Sequence, residues 1–439
     1  MQNYKYIFIL SLFSIFSNAQ ETILLTKKEA IATALEHNYG VKIANNNVEV
    51  AKNNASVFNT NHLPTLSTSA GATYRNDNQD IVRQDGNETS VSGAETKSYN
   101  ASVNLNYTIF DGLGRKYNYK QLKETYGLTE LQARETIENT YLQVYDLYFQ
   151  VAELYENTEN LKEALEISKT RLTRAKYQYN YGQNTKLEVL NAEVDVNNDS
   201  ISFLNSRQQY TNAKRNLNVA LGVNKGVSYD VETEVEFIGL LSLEELLAKA
   251  KDNNVVLKQN ASNLKINEYS IMANKSGYLP SLGFTSSYGW NKSINPSTSF
   301  LAESTNTGFN AGLNLSWNLF DSGTTKTRVA NAKIALENQK IQNEQQLVIV
   351  ENTLTNTWED YNNKLFIYNA QQSNLDTAQN NFNRTHEKYK LGQVTSIEFR
   401  QSQTNLLNAQ TALNVAKYDA KLKELELMQL AGEILNADF

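Results

Sequence analysis

The sequence predicts an α+β chain made of two copies of one unit. Its four strands belong to a membrane-spanning β-barrel shared between several copies, and its long helices continue that barrel as a coiled-coil tube. Three observations predict this. First, two segments alternate apolar and polar residues. At 99–109, Tyr99, Ala101, Val103, Leu105, Tyr107 and Ile109 alternate with Asn100, Ser102, Asn104, Asn106 and Thr108. At 309–319, Phe309, Ala311, Leu313, Leu315, Trp317 and Leu319 alternate with Asn310, Gly312, Asn314, Ser316 and Asn318. Such alternation puts the apolar set on one strand face, and about eleven tilted residues cross a bilayer core of about 30 Å. The polar face is Asn, Ser and Gly, as a wet lumen wants. Second, the whole pattern occurs twice at a constant offset. Third, a helical pattern over 115–181 implies a helix on the order of 100 Å long, which no globular core needs.

Composition narrows the classes. The chain has 439 residues, no Cys and a net charge of −6. Disulfides, thiolate metal sites and a lipid-anchored Cys are excluded, and a nucleic-acid footprint is disfavoured. A mean hydropathy of −0.52 argues against a helical membrane protein. Residues 1–19 are expected to be a secretory signal: Lys5, then an apolar core from Tyr6 to Phe16, then Ser17-Asn18-Ala19.

From Thr26 the pattern turns helical. Thr26-Lys27-Lys28-Glu29 fits a capping box, Ala30, Ile31, Ala34 and Leu35 follow at helical spacing, and the helix pauses at His37-Asn38-Tyr39-Gly40. In the second unit, Leu243-Glu244-Glu245, Leu246, Leu247 and Ala250 precede the pause Lys251-Asp252-Asn253-Asn254. Val41-Lys42 falls on Leu257-Lys258 and Pro64 on Pro280, both 216 residues on. A second helix is therefore expected over 41–60, stopping before the Pro.

Strands follow, as β-hairpins at about 65–110 and about 281–320. Leu63-Pro64-Thr65-Leu66 opens the first and Leu279-Pro280-Ser281-Leu282 the second; Phe110-Asp111-Gly112 and Phe320-Asp321-Ser322-Gly323 close them. Leu282, Phe284, Ser286, Tyr288 and Trp290 alternate with Ser281, Gly283, Thr285, Ser287 and Gly289. Polar stretches 76–97 and 291–308 are expected to be loops on one side of the membrane. Tyr99, Tyr107, Trp290 and Trp317 sit near strand ends, where membrane interfaces select aromatics.

The long helices carry heptad-like stripes. Val144, Leu147, Val151, Leu154, Leu161, Leu165, Leu172, Ala175 and Tyr179 are three and four apart, with Thr158 and Ser168 in two slots. Leu354, Tyr361, Tyr368, Leu375, Phe382 and Tyr389 recur every seven. Each helix ends in a hairpin tip, Tyr181-Gly182-Gln183-Asn184-Thr185 and Leu391-Gly392-Gln393-Val394-Thr395. Gly stops a helix in the left-handed conformation, and Thr can start the next. The domain plan is a first repeat over 20–222, a polar linker over 223–240 and a second repeat over 241–439. Val231, Val235 and Phe237 offer a little strand within the linker.

Four strands cannot close a barrel, and open edges are not tolerated in lipid; three copies would give 12 strands. The duplicated Leu-Pro-x-Leu, Phe-Asp-x-Gly at 320 (with a looser copy at 110) and the two Gly-Gln tips together resemble the TolC family of outer-membrane efflux ducts, over nearly all of the chain. The resemblance implies a homotrimer in the outer membrane, a 12-strand barrel stacked on an α-helical barrel that extends into the periplasm. It implies a passive exit duct of a tripartite efflux or type I secretion system, serving an inner-membrane pump through a periplasmic adaptor that meets the tips at Gly182, Gln183, Gly392 and Gln393. No cofactor and no metal are implied.

The resemblance also implies a gate at the inner hairpin. The acidic position six past Gly392 is Glu398. The second acidic position, nine past it, is Gln401, so a second ring would be neutral. The family's basic latch, two past the Gly, is Val394 here. A Tyr389–Glu188 hydrogen bond is expected to hold the inner hairpin against the outer one, with Glu398 at the mouth. The plain alternatives are an ordinary helix glutamate at 398 and a core position at Tyr389. An enzyme is disfavoured: His37, His62 and His386 share no ligand spacing, and no nucleophile or phosphate motif stands out. The rival class is a trimeric outer-membrane adhesin or coiled-coil anchor, disfavoured because the two hairpins lie about 200 residues apart, whereas such an anchor gathers its strands in one cluster.

Overall fold

The computed structural model describes residues 23–224, 226, 229–239 and 242–436; the expected signal at 1–19 lies outside them. Strand β1 (Ile23–Leu25) leads into helices α1 (Lys27–His37) and α2 (Tyr39–Asn54), then strands β2 (Thr65–Val82) and β3 (Glu88–Asp111). The 67-residue helix α3 (Gly114–Asn180) follows, with its return α4 (Lys186–Leu221). Strand β4 (Tyr229–Val231) precedes the second unit: α5 (Leu243–Asn253), α6 (Val255–Lys275), β5 (Ser281–Ile294), β6 (Glu303–Ser316), α7 (Thr324–Lys390, again 67 residues) and α8 (Ser396–Leu430).

The repeat is carried by matching local chemistry. Thr26 with Glu29 and Ser242 with Glu245 form capping boxes at α1 and α5. At each pause one Asn side chain caps the next helix. The Asn38 Oδ1 accepts the N–H groups of Gly40 and Val41 while its Nδ2 donates to the Ala220 carbonyl at the end of α4 (2.7 Å). Asn254 does the same for Val256, Leu257 and the Leu430 carbonyl (2.9 Å). The Asp of Phe-Asp-x-Gly starts each long helix: Asp111 Oδ2 accepts the Arg115 N–H and Asp321 Oδ2 the Thr325 N–H, both at 2.8 Å. That motif is thus the strand-to-helix corner.

The four long strands form one antiparallel sheet in the order β2-β3-β5-β6, and β1 pairs in parallel with β4. Val103 lies opposite Thr68 on one side and Tyr288 on the other, and Tyr288 lies opposite Phe309. The apolar residues therefore share one face across all four strands. The opposite face carries Ser67, Ser69, Ser102, Asn104, Ser287 and Asn310.

Several expectations change. The stretch 76–97 is not a loop: β2 and β3 run on as a two-stranded ribbon and turn only at 83–87. Polar side chains on both faces hide such a ribbon from any apolar periodicity, while its backbone pairs with itself. Likewise 291–308 is strand except for 295–302, and β6 ends at Ser316, so Trp317 and Leu319 lie past the paired strand. Helix α2 stops at Asn54, with a 3-10 turn at Val57–Asn59 before the Pro. Among the described residues of the linker only Tyr229–Val231 is strand; Phe237 packs on Tyr368 instead, at 5.4 Å between rings.

The core sits at mid-length of the helices. Val144, Tyr148, Phe149, Val151, Leu217 and Tyr418 are buried there with β1 and β4. The Tyr148 hydroxyl donates to the Leu25 carbonyl (2.7 Å) and accepts the Glu232 N–H (2.8 Å), stapling the linker to α3. The two polar slots of the α3 stripe bond across to α4: Thr158 with the Ser206 hydroxyl (2.7 Å) and Ser168 with the Asp199 carboxylate (2.5 Å). In the second unit Leu354, Tyr361 and Phe382 of the seven-residue stripe are buried. Among the described residues no helix is long and apolar enough to cross a membrane.

Candidate functional site

Two regions could act on a solute: the strand wall and the far end of the two helical hairpins. In the wall, Val103 and Leu313 stand exposed on the apolar face. On the polar face Ser69 and Ser102 share a hydroxyl–hydroxyl bond (2.9 Å), and Asn104 donates to Ser102 (3.1 Å). Tyr99, Tyr107, Trp290 and Trp317 are all exposed, and the Trp317 indole N–H donates to the Tyr278 carbonyl (3.2 Å). An apolar outside and an uncharged, hydroxyl- and amide-lined inside are what a lipid-facing wall around water requires.

At the far end the two tips are built alike. Gly182 and Gly392 both have φ of +71°. Gly182 donates to the Tyr179 carbonyl and Gln183 to that of Gln178; Gly392 donates to that of Tyr389 and Gln393 to that of Lys388. Each is a Schellman stop. Helix α8 restarts at Thr395, whose hydroxyl oxygen accepts the Glu398 N–H (3.2 Å). The Thr395 N–H and hydroxyl donate to the Glu398 carboxylate (2.8 and 2.9 Å). The backbone bond from Thr395, then the hydroxyl bond, hold the Glu398 pKa below the usual carboxylate range. Glu398 is therefore the acidic half of a capping box, exposed at the tip. Gln401 bonds Asn405 along its own helix (2.8 Å).

The expected Tyr389–Glu188 bond is corrected: among the described residues no hydrogen bond joins them. Tyr389 lies flat on Phe399 (ring centroids 4.6 Å, planes 7° apart) with the Arg174 guanidinium 5.0 Å from its ring centre. Glu188 lines a separate cleft of about 300 Å³ with Gln401 and Arg171. The aromatic surface of Tyr389 is worth more against Phe399 than its hydroxyl is near solvent, so the heptad position wins.

What ties the second hairpin to the first is a set that sequence reasoning missed. Arg400 of α8 makes a two-pronged bond to Asp199 of α4, both arms at 2.7 Å, and reaches the Ser168 hydroxyl of α3 (3.3 Å). Asp195 lies 3.7 Å from the Arg400 Nε and pairs with the buried Arg171. Gln403 donates to the Ala164 carbonyl (2.8 Å). Burial opposes the charge on Arg400, but the Asp199 bond and the charges of Asp199 and Asp195 prevail, and its pKa is raised. Arg174 adds a bond to the Lys390 carbonyl (2.9 Å). The one signal was Ser168 and Asp199, polar residues where a stripe wants apolar ones.

The histidines fall in unrelated places. His37 is near Glu36 at the end of α1 (3.8 Å), His62 bonds Thr60 (2.7 Å), and His386 packs on Phe382 and Phe399 (5.5 and 5.3 Å). Among the described residues no group of His, Cys, Asp and Glu could hold a metal.

Comparison with known proteins agrees with this geometry. The sequence pattern of the family described as "Outer membrane efflux protein" matches residues 30–223 and 246–433, one match per repeat. The outer membrane efflux protein BepC of Brucella suis is 25% identical over 201 residues, 44% of this chain and 41% of that protein. The outer membrane protein TolC of Salmonella enteritidis is 22% identical over 86% of this chain and 75% of its own length. The Campylobacter jejuni CmeC outer membrane channel has the same fold, with a TM-score of 0.77 over 93% of this chain and 86% of its own, at 17% identity. A match that spans both repeats also sets aside the adhesin alternative. Its duplicated strand and hairpin units, and the family pattern that covers each of them, show that the chain belongs to the outer membrane efflux protein family.

Proposed function

We propose that three copies of this chain close a 12-strand barrel in the outer membrane and act as the passive exit duct of a tripartite efflux or type I secretion system. The observation that carries this is the sheet order β2-β3-β5-β6. It leaves 18-residue β2 and 14-residue β6 without an outer neighbour, each a row of unpaired backbone groups that lipid does not tolerate. Pairing β6 of one copy with β2 of the next satisfies both edges. The helices leave the same end of every strand pair and carry the tube onward over 67 residues, roughly 100 Å at 1.5 Å each.

In this reading the tips at Gly182-Gln183 and Gly392-Gln393 meet a periplasmic adaptor that recruits an inner-membrane pump. The inner hairpin narrows the far end at rest, with Glu398 and Gln401 near the mouth, and the Arg400–Asp199 clamp holds it there. Releasing the clamp lets α7 and α8 swing away as a unit, because their own contacts through Phe382, Phe399 and Leu406 stay intact. The test is the purified protein in a planar bilayer. A three-chain mass in detergent and discrete channels of low resting conductance are expected. A stable single-chain species with no channel activity would overturn the duct.

A further inference from the structure

We propose that the strand-built part of the duct is blind to the sign of its cargo's charge. It passes cationic, anionic and uncharged hydrophilic solutes alike, and any sorting by charge falls to the helical part. This rests on the duct reading and adds to it a class of cargo.

The strand register fixes which side chains line the lumen. Thr68, Val103, Tyr288 and Phe309 stand level with one another on the apolar face, so the lumen takes the alternate positions. Five rows of four cross the sheet on that side, from the row of Thr65 at the helix end to the row of Thr73. They cover roughly 26 Å of strand at about 3.3 Å per residue. Every residue in these rows is Ser, Thr, Asn or Gly. The row through Asn104 is Ser67, Asn104, Ser287 and Asn310. Among the described residues, these rows hold no charged side chain and none larger than Asn. Charged residues make up 20% of the chain, so their exclusion here is not an accident of composition.

The wall also turns its polar groups on itself. Asn104 donates to the Ser102 hydroxyl (3.1 Å), which shares a bond with Ser69 (2.9 Å). A Cβ added at Gly71 would lie 2.7 Å from the Asn100 Oδ1, so that amide lies along the wall, over the glycine. The first charges met beyond the rows are compensated. At the outer end Arg75 lies 2.9 Å from Asp77. At the helix end Asp111 pairs with Arg115 (3.2 Å), and Asp321 accepts the N–H groups of Gly323 and Thr325.

Pores that select by sign do so with rings of one charge, acidic for cations and basic for anions. Symmetry would multiply any such residue around the lumen, and the low-dielectric wall would focus its field into the water. Ser, Thr and Asn supply dipoles instead. Their oxygens meet a cation, and their O–H and N–H groups meet an anion. Five such rows give neither sign an advantage.

The chain contains no Cys, so Asn104→Cys gives the full-length protein one luminal thiol per chain, and Val103→Cys one on the lipid face. Two methanethiosulfonate reagents of similar size, one bearing trimethylammonium and the other sulfonate, are applied to proteoliposomes. Their rate ratio is compared with the ratio for 2-mercaptoethanol in the same buffer. The thiolate fraction affects both rates equally and cancels, which leaves the local potential. At Asn104→Cys the ratio should match the free thiol's within about threefold, at low and high salt alike. A larger displacement at low salt that high salt removes overturns the sign-blind barrel and leaves the duct standing. Ser287 lies opposite Asn104 in the register. Adding Ser287→Lys to Asn104→Cys should favour the sulfonate by about tenfold at low salt. No shift there also overturns the inference, because the blindness would then come from pore width and not from these side chains. Val103→Cys should react with neither reagent. If Asn104→Cys is the unreactive one, the duct reading itself fails, and this inference with it.

Discussion

Arg400 shows how one side chain can carry a mechanical role. Its bonds reach Asp199 and Ser168 on two different helices of the first hairpin, and Asp199 is almost fully buried. Arg400→Gln takes away that carboxylate's charged partner and leaves it the Ser168 hydroxyl, at a cost of about 3 kcal/mol. The expected result is a lower unfolding temperature and a raised resting conductance in single-channel recording; wild-type values in both would show the clamp idle. Tyr389→Phe, by contrast, should leave conductance unchanged, because the ring and not the hydroxyl makes the contact. His386 adds a pH dependence. Burial beside Phe382 and Phe399, then the charge of Lys390, lower its pKa, and Glu387 opposes this only in part. The groove it lines also holds Glu163, Glu166, Arg171 and Arg174 of α3. A depressed folded-state pKa means that stability is fully present above the ordinary His value and is lost as pH falls through the depressed one. Hairpin packing should therefore loosen as pH falls below about 6.5, the ordinary His value. His386→Phe should flatten that dependence in protease-sensitivity measurements at the tips.

At the scale of elements, the strand faces and the hairpin tips make separable predictions. Val103 and Leu313 share the apolar face. Val103→Lys or Leu313→Lys should cost about 2–4 kcal/mol if they lie near the bilayer midplane, falling toward the interfaces. Asn104→Lys, one residue along and on the opposite face, should insert normally and shift ion selectivity. Equal loss of membrane protein in all three would mean that the faces are misassigned. At the tips, a Cβ at Gly182 or Gly392 would meet nothing within 4 Å, so only the positive φ resists substitution. Gly392→Val should distort the turn, keep the oligomer yield in membranes and abolish transport. Transport that survives valine at both glycines would rule out tip docking.

For the whole molecule, the two open sheet edges at β2 and β6 point to closure by neighbouring copies. The expected solution state is a three-chain particle whose mass does not change on dilution in detergent, since 12 strands leave no edge to exchange. A mass that falls to one chain on dilution would contradict closure. The buried Lys421 and Glu424 at mid-length belong to this scale as well. Glu424 accepts the Ile238 N–H and pairs with Lys421, which donates to the Glu236 carbonyl (2.7 Å), so they hold the linker against α8 where the two repeats meet. Lys421→Met should release the linker and leave Glu424 uncompensated, which would appear as new protease cuts within 229–239.

Much of this was legible in the sequence because it depends on neighbours along the chain. Thr26 and Glu29 are three apart, Gly182 and Gly392 end their helices locally, and the alternation at 99–109 needs only a strand's period of two. The internal repeat, the four strands and the two hairpins followed from such signals. The ribbon over 76–97 was not legible, since strands wet on both faces carry no apolar period. Neither was the clamp. Ser168, Asp199 and Arg400 lie 31 and 201 residues apart in turn, and only the packing of α8 against α3 and α4 brings them within bonding distance. Tyr389 was misread for the same reason: the choice between Glu188 and Phe399 was made by which face of α8 turned toward it. Local spacing determines where helices and strands begin and end, but a contact between two hairpins is a property of how their faces meet, and that is decided when the core closes.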